Sequence, residues 1–317
     1  MAGFIEEEMK MLFNYNPPLT KREDFEEFWG ETVKRTRRVP LNTKMEKYDY
    51  PSTNVDVFSI SYNGFDETRI NGWFIVPSFL KRDKYPCLIH YHGYKGNKGM
   101  PSDFMHWIVA GVAVLSIDCR DQNGDTGNSA AYSSGSTQSV VCKGILDKEE
   151  YYYRLVYMDS VKAIDFALSL EQVDPDRIII EGGSQGGAIG MAVCALDNRP
   201  YIAMVDVPSN SNIEKRIDGA YGSYSAVTDY LKVHPDKVEK VFETLSYFDT
   251  MNMAENIKCK ILASVGLKDN VCPALMYFAS FNRIKSEKEI KIYPFNGHEG
   301  GHTVHNEVKM NFLRDNL

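Results

Sequence analysis

Three polar side chains, each placed just after an apolar run, carry the first functional signal in this chain. Gly182-Gly183-Ser184-Gln185-Gly186 matches the pattern Gly-x-Ser-x-Gly. A chain of this length shows such a match by chance roughly one time in ten, so context has to decide. The pentapeptide follows the run RIIIEGG (177–183) directly and leads into the apolar run AIGMAV (188–193). Strand, glycine turn, serine and helix in that order form the elbow that exposes a nucleophilic serine. Gly182 and Gly186 keep side chains out of a turn that has no room for them, and the start of a helix favours negative charge near the hydroxyl. The plain alternative is a glycine-rich helix cap with a solvated serine.

A serine hydroxyl needs a base, and the base needs an acid to orient it. With a nucleophile elbow the chain order is serine, acid, histidine. Asp269 follows the run CKILASV (259–265), and His298 follows KEIKIYP (288–294). Asp249 is the rival acid, but it precedes the run CKILASV instead of following it. The oxyanion of an acyl-transfer intermediate needs two N–H donors. Gln185, directly after the serine, supplies one. Tyr94, in the segment His92-Gly93-Tyr94 after PCLIHY, is the candidate for the other. Plain turn or cap roles are the alternatives for Asp269, His298 and Tyr94.

A second motif overlaps the first. His298-Glu299-Gly300-Gly301-His302 matches His-Glu-x-x-His, a zinc-protease signature. That chemistry needs both histidines on one face of a continuous helix. Two central glycines, each costing about 1 kcal/mol in a helix interior, argue against it. His305 as a third ligand fits no zinc spacing. The segment is expected to be a loop that enters a helix near 302, with no metal. A non-catalytic ligand-binding chain is a further alternative, which the ordered serine, aspartate and histidine disfavour.

These residues need a scaffold. The spacing of Phe25, Phe28, Trp29 and Val33 predicts a helix over 20–38, with Thr20 as its N-cap. NVDVFSISY (54–62) and TRINGWFIVP (68–77), separated by the turn signal Asn63-Gly64, predict an antiparallel pair. Short apolar runs then recur at 86–92, 112–118, 177–183, 201–207, 259–265 and 288–294, and suit strands buried on both faces. Helical segments are expected at 151–170, 185–197, 235–245, 273–285 and 302–316. This alternation predicts an α/β protein with a mostly parallel sheet and helices on both faces, the α/β-hydrolase fold. Ligands in such sheets bind beyond the carboxyl ends of the strands, where Ser184, Asp269 and His298 all fall. No linker or repeat divides residues 1–317, so a single domain is expected.

Composition removes other classes. A net charge of -7 argues against nucleic acid or an anionic membrane as partner. No run approaches the ~18 apolar residues of a membrane span. Six scattered cysteines without a Cys-x-x-Cys spacing are expected to be buried, reduced thiols. The first residues, with Glu6, Glu7 and Glu8 near the start, lack a basic region and apolar core, which points to the cytoplasm. A mature chain freed of a signal would read the same way.

Arg120-x-Gln122, GGSQGG (182–187), GLKDNVCP (266–273) and NGHEGG (296–301), with DFEEFW (24–29), HGY (92–94), TLSYFDTMNMAENIKC (244–259) and the closing helix, resemble carbohydrate esterase family 7. This is the acetyl xylan esterase and cephalosporin C deacetylase family. The resemblance implies removal of acetyl groups from small acetylated sugars, especially xylo-oligosaccharides, and from cephalosporin C. It places the family's triad on Ser184, Asp269 and His298 and its oxyanion donors on Tyr94 and Gln185. It implies no cofactor, an intracellular location, and a homohexamer whose sites face an inner chamber. The segment from about 121 to 150 resembles the family's interface loop; by composition alone its polar start reads as a mobile surface loop. Arg120 and Gln122 are expected to hold the loop beneath the site. Two departures from the family stand out. Asp121 stands where a glycine is usual, and aspartate tolerates left-handed backbone better than most residues. The segment 207–212, Val-Pro-Ser-Asn-Ser-Asn, replaces bulkier apolar and aromatic residues, so a smaller, more polar wall and a different acyl or alcohol preference are expected.

Overall fold

Antiparallel pairing opens the sheet and parallel pairing builds the rest of it. A computed structural model describes residues 3–135, 137 and 139–317. The chain starts with α1 (Gly3–Phe13) and α2 (Phe25–Arg38), then forms β1 (Lys44–Tyr48), β2 (Val55–Asn63) and β3 (Arg69–Pro77). Asn63 pairs with Arg69 across the turn, so β2 and β3 form the expected antiparallel ladder. Next come β4 (Tyr85–Tyr91), α3 (Met105–Val109), β5 (Ala113–Ile117), α4 (Tyr152–Leu168) and β6 (Val173–Gly183). They are followed by α5 (Gln185–Leu196), β7 (Pro200–Asp206), α6 (Ile213–Asp218), α7 (Ser225–Val233) and α8 (Val238–Ser246). The chain closes with β8 (Lys260–Gly266), α9 (Ala274–Phe281), β9 (Lys288–Tyr293) and α10 (His302–Asn316).

The nine strands lie in the order β1-β2-β3-β5-β4-β6-β7-β8-β9. From β5 through β9 every neighbour is parallel. The central strands are buried on both faces, and their side chains divide between two cores. Cys87, Ile89, Ile178 and Ile180 pack under α2, α4, α5 and α9; Leu88 and Ile179 pack under α3 and α10. This period-two division is why the runs are uniformly apolar and why helices cover both sides.

Several expectations shift. The first long helix begins at Phe25, not near 20, because Asp24 holds the N-cap position. Thr20 instead accepts a hydrogen bond from Asn252 Nδ2 at 2.9 Å. Strand β1 (KMEKY) is exposed along its whole length, so it carries no apolar alternation to read. Its lysines suit an outer edge that must not pair further. Within 121–150 the start is irregular and polar, but Val140, Val141, Cys142 and Ile145 are buried in the larger core. Ser136 and Gln138 of that segment lie outside the described residues. All six cysteines are free and buried.

Candidate active site

The last residue of β6 and the first of α5 bracket Ser184, which sits at φ 57° and ψ −116°. A non-glycine residue there is strained and must be held. Its N–H donates to the Asp206 carbonyl at 2.8 Å, and its carbonyl accepts from Ala188 and Ser209 N–H at 3.0 Å each. The neighbouring glycines explain themselves sterically. A Cβ on Gly182 would lie 2.6 Å from the Gly186 carbonyl carbon, and one on Gly186 would lie 1.8 Å from the Tyr91 carbonyl oxygen.

His298 bridges the serine and the acid. Its Nε2 lies 2.9 Å from Ser184 Oγ and its Nδ1 lies 2.8 Å from Asp269 Oδ2. The other Asp269 oxygen accepts from the N–H groups of Val271 and Cys272, each at 2.8 Å. Burial alone would raise the Asp269 carboxyl, but the His298 bond and the two N–H donors hold it below its ordinary value. A carboxylate in that state fixes Nδ1 as the donor and leaves Nε2 free to accept from the serine. Asp249, the rival acid, points elsewhere. It caps α6, accepting from Asn212 and Ile213 N–H, and also accepts from Met251 N–H.

The two expected oxyanion donors, Gln185 and Tyr94, both line the cavity at the serine. Gln185 is the first residue of α5, so its N–H has no partner within the helix. Tyr94 lies on the loop after β4, and both residues line the same cavity of about 300 Å³ as Ser184 and His298. His92 shapes that loop. Its Nδ1 lies 2.8 Å from the Gly93 carbonyl and its Nε2 lies 2.8 Å from the Cys119 N–H. The first nitrogen must therefore donate and the second accept, which makes the ring neutral. Gln122 ties the loop to the helix. It donates to Gln185 Oε1 at 3.0 Å and to Tyr152 Oη at 2.9 Å, and accepts from Lys95 N–H at 2.7 Å.

Arg120 is fully buried and bonded to two carboxylates, with Nε 2.7 Å from Asp159 and Nη2 2.8 Å from both Asp159 and Asp66. Burial would lower its pKa, but the two carboxylates raise it above its ordinary value. Its own carbonyl accepts from Tyr152 Oη, which anchors the backbone just ahead of Gln122. Asp121 adopts φ 59°, the left-handed conformation that its usual glycine counterpart implies, and its carboxylate pairs with Lys143.

Zinc-protease geometry is absent at 298–302. Gly300 and Gly301 take φ 54° and 94°, and α10 starts only at His302. Among the described residues no cluster of His, Cys, Asp or Glu is arranged to hold a metal ion. His305 faces Tyr293 Oη at 3.0 Å and Asp206 at 2.9 Å instead.

The segment 207–212 contributes less wall than its composition implies. Only Ser209 of this segment lines the cavity. Asn210 donates to Tyr157 Oη at 3.0 Å, Ser211 to the Met276 carbonyl at 2.7 Å, and Asn212 to Tyr15 Oη at 2.8 Å. Cys272 and Arg216 line the cavity too. No motif marks Arg216, because α6 is short and its approach to the serine is purely tertiary.

The acetyl xylan esterase (AXE1) family profile matches residues 3–316. The chain belongs to that family. An acetyl xylan esterase from Paenibacillus sp. R4 shares 36% identity and a TM-score of 0.94, over 98% of this chain and 99% of that one. Acetyl xylan esterase 1 from Thermoanaerobacterium sp. JW/SL YS485 shares 28% identity and a TM-score of 0.92, over 97% and 98%. Acetyl esterase Axe7A from Xylanibacter ruminicola is 27% identical over 294 residues, 89% of this chain. This chain spans 64% of that relative's length. Ser184, Asp269 and His298 follow one another along the chain in the order typical of α/β-hydrolases, serine, acid, histidine, each beyond the carboxyl end of a parallel strand.

Proposed function

We propose that this protein is a serine esterase that removes acetyl groups from small acetylated carbohydrates, with xylo-oligosaccharides as the leading substrates. The observation that carries this is the continuous hydrogen-bonded line from Ser184 through His298 to Asp269, in a chain of the acetyl xylan esterase family. His298 Nε2 takes the Ser184 proton as Oγ attacks the acetyl carbonyl carbon. The tetrahedral oxyanion is held by the N–H groups of Gln185 and Tyr94. His298, its charge stabilised by Asp269, returns the proton to the departing sugar oxygen. Water then attacks the acetyl-serine by the same route and releases acetate.

The same reading includes cephalosporin C as a second acetyl donor, a homohexamer and a cytoplasmic location, all carried by the family resemblance. A different acyl or alcohol preference is the alternative, and small, polar Ser209 on the cavity wall favours it. Acetate release from acetylated xylo-oligosaccharides, cephalosporin C and a longer-acyl series tests both. Ser184→Ala should lower kcat by about 10³-fold or more while leaving the thermal midpoint nearly unchanged. Substantial activity in that variant overturns the assignment of the nucleophile.

A further inference from the structure

The cavity around Ser184 holds a positive charge that acyl transfer does not use. Arg216, on α6, lines it beside Val271 and Cys272 and is only 1% exposed. Its Nη2 donates to the Val271 carbonyl at 3.0 Å and lies 3.5 Å from Cys272 Sγ. Its Cζ stands 5.3 Å from the centre of the Tyr224 ring. Nε and Nη1 are buried and have no acceptor among the described residues.

The contrast with Arg120 is direct. That arginine is buried to the same degree and is clasped by Asp66 and Asp159. Arg216 pairs with no carboxylate among the described residues. The cavity's nearby acid, Asp269, has both oxygens engaged by His298 and by two backbone N–H groups. Guanidinium groups keep their charge in proteins, and burying one without a counter-charge is costly. An anion entering the cavity would relieve that cost, in a setting where charge-assisted hydrogen bonds are strong. The anion would also be close to the reaction. One sulfur atom lies between the guanidinium and the nucleophile, with Cys272 Sγ 3.9 Å from Ser184 Oγ.

We propose that Arg216 makes this a site for esters that carry a carboxylate a few bonds from the ester carbonyl. The inference rests on the esterase reading of Ser184 and adds to it a preference for acidic esters over neutral ones. The carboxylate can sit on the acyl side, as in the half-ester of a dicarboxylic acid, or on the alcohol side, as in an acetylated uronic acid. One ligand chemistry serves both.

The test measures kcat/KM on the full chain for two matched pairs. On the acyl side, monoethyl succinate is compared with ethyl 4-oxopentanoate. On the alcohol side, an acetylated methyl glucuronoside is compared with its uncharged glucuronamide. The charged member should be preferred by roughly tenfold or more in one pair, which also identifies the side. Arg216→Gln should erase that preference, and Arg216→Lys should retain part of it. The wild-type comparison decides even where a variant misfolds: equal or better turnover of the neutral member in both pairs overturns the inference. A preference that persists in a folded Arg216→Gln protein overturns it as well. Hydrolysis of the neutral esters leaves the esterase reading standing in either case. No hydrolysis of any ester removes that reading and this inference together.

Discussion

Gly186 has no space for a side chain, because a Cβ there would penetrate the Tyr91 carbonyl oxygen. Gly186→Ala must push α5 away from β4 and carry Ser184 with it. A loss of about 2–4 kcal/mol of stability in urea unfolding is expected, with a larger proportional fall in kcat. His92 supplies a pH effect of definite sign. Burial pushes its imidazole down to about 4, against a small opposing pull from the Gly93 carbonyl. The unfolded ring protonates near 6.5 and the folded ring only near 4. Its contribution is therefore complete above pH 6.5 and is lost as pH falls toward 4, by about 3 kcal/mol. Urea midpoints from pH 7 to 4 should fall more steeply for the wild type than for His92→Asn. At this scale the sequence was informative where a residue type is scarce in its role. Ser184 between glycines, Asp269 after one strand and His298 after the next were all legible. Arg216 and His92's tautomer were not, because burial and missing partners leave no mark on a linear pattern.

Elements decide whether the proposed oxyanion donors converge. The β4–α3 loop brings Tyr94, and the start of α5 brings Gln185. Gln122, on a third segment, is bonded to both neighbourhoods. Gln122→Ala should lower kcat by roughly tenfold or more through misplacement of the donors, with KM changed less. Its thermal midpoint should stay close to wild type, since Arg120 and Tyr152 still anchor the loop. Equal losses in kcat and stability would instead show Gln122 to be a general brace. The strands of the parallel sheet were readable to within a residue or two at most ends, since double-sided burial makes them uniformly apolar. Strand β1, α1 and α6 were not. The first lies exposed along its length, α1 buries only Ile5 and Leu12, and the last is capped by Asp249 from a distant segment.

Across the whole molecule, one buried charge cluster joins the sheet to its last helix. Lys309 of α10 reaches Glu181 at 2.8 Å and Asp206 at 2.7 Å, and His90 lies 2.5 Å from Glu181. Burial would raise Glu181, but Lys309 and His90 hold it far below its ordinary range. Asp206 also carries the backbone carbonyl that receives Ser184 N–H, so the cluster ties α10 to the elbow. Lys309→Met leaves two carboxylates without their cation and should cost about 3–5 kcal/mol near neutral pH. A depressed carboxyl gives stability above its ordinary pKa and loses it as pH falls. The gap between variant and wild type should therefore narrow below pH 4.5, as Glu181 becomes neutral in the variant. Unfolding curves at pH 7 and pH 4 check both statements.

The sequence by itself determined the strands of the parallel sheet, most of the helices that cover them and the order of the three polar residues, because periodic burial and strand-end placement are local in the chain. It also weighed against the zinc reading, since paired glycines disfavour a continuous helix, and the structure decided the point by starting α10 only at His302. The tertiary structure alone decided the 2.9 Å and 2.8 Å line through His298, the inward turn of Asn210, Ser211 and Asn212, and the presence in the serine's cavity of a guanidinium with no carboxylate partner among the described residues. Those depend on distances between segments far apart in sequence, and such distances are set by packing.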